Sequence, residues 1–318
     1  MNRTVFYIIL FMVCMSGPAA GESPQAPGQY DDIALYRRWL ATGGADSVYL
    51  EADVAGLPVS GIVSGSTVSV KTGHRGMLDE YVSLLTLKKN GGSSEDVMTG
   101  LLELADRAAD KGETALEAAV LSSAFTEAFW AMKDYDRAFY TGFRLEEKLA
   151  LVDSGQYPGK CEAYFKLGEA YYLFLDNHKS IELLEKALSP APLSFEDHTN
   201  LDALKIIGIC YANLGQMEES DRYFRATLLS HDTVRGRPLY NAYALSHLAC
   251  NAMLTGQYAR AMALSGEVWP VLRKTGDYGH LAGMCYCRGR SHQAGGDYQN
   301  TARWMDSLDY FAHRDQYN

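Results

Sequence analysis

The chain has 318 residues, 47% hydrophobic and 21% charged, which are ordinary proportions for a globular protein with enough apolar material to build a core. Its formal net charge of -10, with no local cluster of Lys and Arg, excludes general affinity for a nucleic-acid backbone, which needs concentrated cations. Tyr is frequent, at 21 residues. A tyrosine packs while keeping its hydroxyl wet, so helix packing and a tyrosine-lined groove are both open readings.

In chain order, residues 1–21 come first, with Arg3, an apolar run from Val5 to Met15 and a small-residue exit from Ser16 to Gly21. That order is the form of a secretory signal peptide cleaved after Ala20 or Gly21, and the run is too short for a comfortable membrane span. The expectation is export to the periplasm or cell surface, with membrane contact only if the segment is retained as an anchor. Residues 22–76 form an irregular N-terminal segment: Pro and Gly to Gln29, a short helix over Asp31–Ala41, then Gly, Ser and Val that suit short strands or a loop. Residues 77–112 read as a capping helical hairpin, Met77–Lys89 and Asp96–Ala109, around Gly91–Ser94 with Ser94 as a helix start.

The clearest hairpin runs from Leu201 to Ser230. Leu204, Ile207, Gly208 and Tyr211 share one helical face, Gly215 ends that helix, and Met217, Ser220, Tyr223, Phe224 and Thr227 make a second face. Gly208 and Ser220 are small where two antiparallel helices must approach, beside the bulk of Tyr211 and Phe224. The small first-helix residue recurs as Thr126, Gly168, Gly208, Ala249 and Gly289, in steps of 42, 40, 41 and 40. Each copy has a turn and then a second small residue, at Ala138, Ser180, Ser220, Ala261 or Thr301. So regular a period predicts an all-α superhelical solenoid of about five hairpins over residues 113–318.

These residues resemble the tetratricopeptide repeat (TPR). The family's pattern is best met by Tyr164, Leu167–Gly168, Tyr171, Ser180, Leu184 and Pro192, and nearly as well by the copy ending at Phe224. Other copies depart from it, with Ala252 where Tyr is usual, Arg288 and His292 in the last copy, and Thr126 and Gly142 in the first. A period near 40 is longer than the family's usual length of about 34 and is similar to the input regions of bacterial TPR sensors and regulators. The resemblance implies a non-enzymatic module that binds a protein or peptide on the concave face of its first helices, or a sensor input region whose output domain lies elsewhere.

Nothing in the sequence marks catalysis or a cofactor. There is no His-Glu-x-x-His, no Cys-x-x-Cys and no phosphate-binding Gly-rich loop, so we expect no enzyme activity, metal or cofactor. Cys210, Cys250, Cys285 and Cys287 fall in mid-helix, where buried thiols pack. First-helix residues directed away from the partner helix give the candidate groove. They are Glu127 and Trp130; Phe165, Glu169 and Tyr172; Lys205 and Asn213; Tyr243, Ser246 and Met253; and Tyr286, Arg290 and Gln293. Aromatics interleaved with single charges suit a peptide. The family's clamp for a C-terminal carboxylate is not reproduced, because Ile209 stands where Asn is needed.

Overall fold

A computed structural model describes residues 74–154, 156–157, 159–188, 199–229 and 237–316. The expected signal peptide, residues 22–73 and Pro192 lie outside these. The described residues fall into two compact units, 74–170 and 171–316, each taken by itself below.

The first unit holds α1 (Arg75–Lys89), α2 (Ser94–Asp110), α3 (Thr114–Thr126), a π-helical turn (Glu127–Met132), α4 (Tyr135–Leu151) and most of α5 (Lys160–Leu173). Helix α1 packs on α2, α2 on α3 and α3 on α4. The cap of α2 is Ser93 rather than Ser94, because the Ser93 hydroxyl is the one that accepts the Asp96 N–H. Val97, Met98, Leu101, Leu104, Ala105 and Ala108 form the buried stripe of α2, spaced as a single helical face.

The second unit holds α6 (Asn177–Ala187), α7 (Thr199–Asn213), α8 (Met217–Leu229), α9 (Arg237–Leu254), α10 (Tyr258–Thr275), α11 (Tyr278–Ala294) and α12 (Tyr298–Gln316). Sequence neighbours pack on one another throughout. In addition α7 touches α9, and α9 touches α11, so the first helices of successive hairpins lie side by side. This is the local, one-dimensional contact pattern of a helical repeat.

The turns explain why the period persists where the sequence drifts. Seven residues after each small first-helix position stands a residue in the left-handed region: Lys133 (φ 56°), Leu175 (φ 63°), Gly215 (φ 76°), Gly256 (φ 79°) and Gly296 (φ 76°). The next N–H then reaches back to the carbonyl five residues earlier, at 3.0 Å for Asp176, 2.9 Å for Gln216, 2.7 Å for Gln257 and 3.0 Å for Asp297. That bond satisfies a carbonyl the helix end would otherwise leave bare. In the first copy the π-helical turn lengthens the reach to six residues, Asp134 N–H to Ala128 O at 2.9 Å. Asp134, Asp176 and Asp297 then cap the second helix, accepting the N–H of Arg137, Lys179 and Asn300.

Inside the hairpins the copies divide volume differently. A Cβ on Gly208 would lie 2.9 Å from the Phe224 ring, sixteen residues on, so the glycine makes room for that ring. Gly289 stands in the same relation to Met305, whose Cε would collide with an added Cβ. The first copy inverts the arrangement. The Phe224 position is Gly142, and a Cβ there would lie 3.4 Å from the Phe125 ring and 3.1 Å from Leu167. One gap is filled from opposite helices, which is why Gly142 breaks the family pattern without breaking the fold. In the fourth copy the position is Ser265, whose hydroxyl accepts from Arg288 Nε at 3.1 Å. The Arg288 guanidinium also lies 4.9 Å from the Trp269 ring and 4.7 Å from the Trp304 ring. Arg288 therefore enters the last copy as a packing residue.

Candidate functional site

The first helices of the second unit bring several of the expected groove residues together. On α7 the Lys205 ammonium pairs with Asp202 at 3.0 Å and lies 5.9 Å from the rings of Tyr240 and Tyr243 on α9. The Tyr240 hydroxyl donates to Asp202 at 3.1 Å, tying the same two helices. Tyr243 stacks on His280 of α11, centroids 4.3 Å apart, and His280 Nδ1 meets the α11 cap Asp277 at 3.0 Å. His247, one helical turn after Tyr243, lies flat on Phe224 at 4.7 Å and edge-on to His280 at 5.8 Å.

Burial sets the charges here. Burial pushes Asp277 up, but the charge and hydrogen bonds of His280, with the Tyr243 hydroxyl, outweigh it and hold the carboxyl at about 2. Burial holds His247 well below the ordinary histidine range, and the nearby His280 and Lys205 add to the effect. The strip is thus a network of paired groups with a neutral imidazole behind it. Asp202 and Lys205 each leave 22% of their side chains exposed, so its outer edge is partly open to solvent.

The remaining candidates fall on both sides of the surface. Arg290 and Gln293 are exposed near the end of α11 and hydrogen-bond to each other. Tyr286 is half-buried against the α9–α11 core, and burial raises its hydroxyl. Asn213 donates to Asn177 of the preceding hairpin at 3.1 Å. In the first unit Phe165 and Glu169 are half-buried, and Trp130 packs edge-on to Phe129 at 4.8 Å.

Four candidates are corrected by burial. Glu127 is 2% exposed and its carboxylate is neutralised by Lys88 of α1 at 2.9 Å. Tyr172 is 1% exposed, since it continues the face of Tyr164 and Gly168 at four-residue spacing. Met253 follows core residue Ala249 by four positions and is buried, and the buried Ser246 hydroxyl donates to the Tyr243 carbonyl at 2.7 Å. Sequence reasoning missed Asp202, Tyr240, His247, Asp277 and His280. The i, i+3, i+7 run Tyr240, Tyr243 and His247, and the cap spacing Asp277-x-x-His280, were the available signals.

Four of the described cysteines pack in the interior. Cys210, Cys250, Cys285 and Cys287 are buried free thiols, and burial pushes Cys285 and Cys287 up to about 12. Among the described residues no group of His, Cys, Asp and Glu is arranged to hold a metal, and no helix is long and apolar enough to cross a membrane.

Small residue, left-handed residue seven on, cap at eight and second small residue at twelve thus recur in one register through both units. The described residues form a repeat of helical hairpins. No family profile and no curated protein matches the chain. Two solved structures overlap it in part, a Podosopora anserina putative kinesin light chain with nearly identical TPR-like repeats and a form of that protein carrying a single substitution. They align at TM-scores of 0.41 and 0.42 with 18% identity, covering 70% of this chain and 97% of theirs. Neither overlap is close enough to carry an argument about this chain.

Proposed function

We propose that this chain is a non-enzymatic interaction module, exported to the periplasm or cell surface, that binds a protein or peptide along the first helices of its second unit. The observation that carries the reading is the side-by-side contact of α7, α9 and α11, which presents Lys205, Tyr243, Tyr286, Arg290 and Gln293 on consecutive first helices. Half-exposed aromatics beside single charges give a peptide both an apolar anchor and a choice of register. The net charge of -10 argues against a nucleic-acid partner.

The test is affinity co-purification from native cells with the wild-type chain and with a Lys205→Glu/Arg290→Glu variant, followed by a binding titration with each partner recovered. The reading predicts a partner that the wild type retains and the variant loses by roughly tenfold or more in affinity. A partner held equally well by both would place binding on another face. Export is tested separately, by fractionating cells that express the full chain and probing for a product shortened by residues 1–21.

A further inference from the structure

Helix α4 distributes its side chains on three stripes. Ala138, Thr141, Leu145 and Leu149 face the core and are buried. A second stripe holds every base of the helix proper. Arg137 reaches Glu95 of α2 with two hydrogen bonds of 2.8 and 2.9 Å, Arg144 reaches Asp106 at 2.8 Å, and Lys148 reaches the buried Glu117 of α3 at 3.1 Å. These pairs commit two cations to the preceding hairpin and the third to α3, the partner helix of α4.

The third stripe is left to solvent, and its composition is unusual. Asp136, Tyr140, Phe143, Glu147 and Leu151 follow one another at spacings of four, three, four and four, which is one continuous helical face. Tyr140 is 66% exposed, Phe143 58% and Leu151 72%. Isolated exposed apolar residues are normal, but two aromatics and a leucine aligned on one face are a patch. Asp136 and Glu147 are exposed between and beside them, and no base belongs to the stripe.

We propose that this outer face of α4 is a docking surface for a basic amphipathic helix of a partner protein. Its aromatics and Leu151 would take the partner's apolar stripe, and Asp136 and Glu147 its flanking Lys or Arg. Charge complementarity selects this occupant. The cations of the helix are held by Glu95, Asp106 and Glu117, so the stripe itself offers apolar and negative groups. At 17 residues α4 is about 25 Å long, which matches a partner helix of about 17 residues. This surface lies on a second helix of the first unit and is independent of the first-helix reading above.

The experiment uses the full chain and a labelled synthetic helix of about 18 residues built from Leu and Lys at amphipathic spacing, read by fluorescence anisotropy. A peptide with the Lys replaced by Glu, and a scrambled peptide of the same composition, serve as comparisons. The expected result is binding of the Leu/Lys helix alone, weakened roughly tenfold or more by Tyr140→Ser/Phe143→Ser and by Asp136→Lys/Glu147→Lys. A charge-matched control on α12, Asp306→Lys/Asp309→Lys, and the Lys205→Glu/Arg290→Glu variant should bind as the wild type does. Circular dichroism establishes that each variant keeps its helices. Equal weakening by the α12 control would mean attraction to net charge only, and no binding by the wild type would remove the surface. Both results overturn the proposal. So does sedimentation showing a dimer that Tyr140→Ser/Phe143→Ser dissociates, since the occupant would then be a second copy.

Discussion

Hairpins α3–α4 and α7–α8 share one register and allocate their side chains in opposite ways. In α7–α8 the glycine is on the first helix, at Gly208, and the bulk on the second, at Phe224; in α3–α4 the bulk is Phe125 on the first helix and the glycine is Gly142 on the second. Charge is divided differently as well. The first helix α7 keeps Asp202 and Lys205 partly open, whereas in α3 Glu117 is 2% exposed and is neutralised from α4 by Lys148. The repeat therefore constrains a gap and a turn, not a residue at each position. The two surfaces proposed above follow that division, a first-helix strip in one unit and an outer second-helix face in the other.

Emptying the shared gap should separate or unite the two hairpins most clearly. Phe224→Ala and Phe125→Ala should each lower stability by about 3–5 kcal/mol in urea denaturation, because each ring is fully buried and leaves a cavity. A large loss for one and almost none for the other would mean that the two rings do not fill equivalent space. Overfilling comes next. Gly208→Ala should cost about 1–3 kcal/mol, since the new methyl would meet the Phe224 ring at 2.9 Å, and a further Phe224→Leu change should recover part of that loss.

A third prediction concerns His247, which belongs to the α7–α9 side of the contrast and has no counterpart in α3–α4. Its folded pKa is depressed below the unfolded value near 6.5, so below that pH the unfolded chain takes up a proton that the folded chain refuses. Stability of the second unit should therefore fall on acidification through and below about pH 6.5, by up to about 1.4 kcal/mol per pH unit from this group. His247→Phe should flatten that slope in denaturation curves taken from pH 7 to 5. An unchanged slope would show that the imidazole titrates alike in both states. Asp277 acts lower: its carboxyl, held at about 2, contributes stability that is lost only as pH falls from about 4 toward 2.

The smallest effect lies in the turns. Lys133 sits at φ 56° where the other hairpin has Gly215 at φ 76°. A side chain in that region costs about 1–2 kcal/mol, so Lys133→Gly should stabilise by about 1 kcal/mol and Gly215→Lys should destabilise by about as much. Thermal melts of the two variants check the sign, and two shifts in the same direction would contradict the shared turn geometry.

Much of this fold was legible in the sequence because its signals are periodic. The five small residues and their turns marked the hairpins, since a one-residue slip would expose a buried face. What the pattern could not report was which helix fills a gap: Thr126 and Gly142 looked like damage to a motif, and only the Phe125 ring shows that they are a rearrangement. The candidate strip was read in part. Lys205 and Tyr243 do meet, through a contact between α7 and α9 that spacing within one helix cannot reveal. Glu127 failed because α-helical phase was carried past the end of α3 into a π-helical turn, and Tyr172 because it lies one turn beyond Gly168 on a buried face. The stripe on α4 was present in the sequence as Tyr140, Phe143 and Leu151, but nothing in the spacing said which of three faces stays uncovered.

If the copies are one hairpin whose shared gap can be filled from either helix, the bulk should be movable, and a double-mutant cycle in α7–α8 reads that out. Ile207 occupies the position of Phe125, so Ile207→Phe with Phe224→Ala moves the bulk to the first helix as α3–α4 does. The prediction is that each single change destabilises the unit and that the pair together costs less than their sum by roughly 1–3 kcal/mol. Additive losses, with no coupling between the two sites, would contradict the claim.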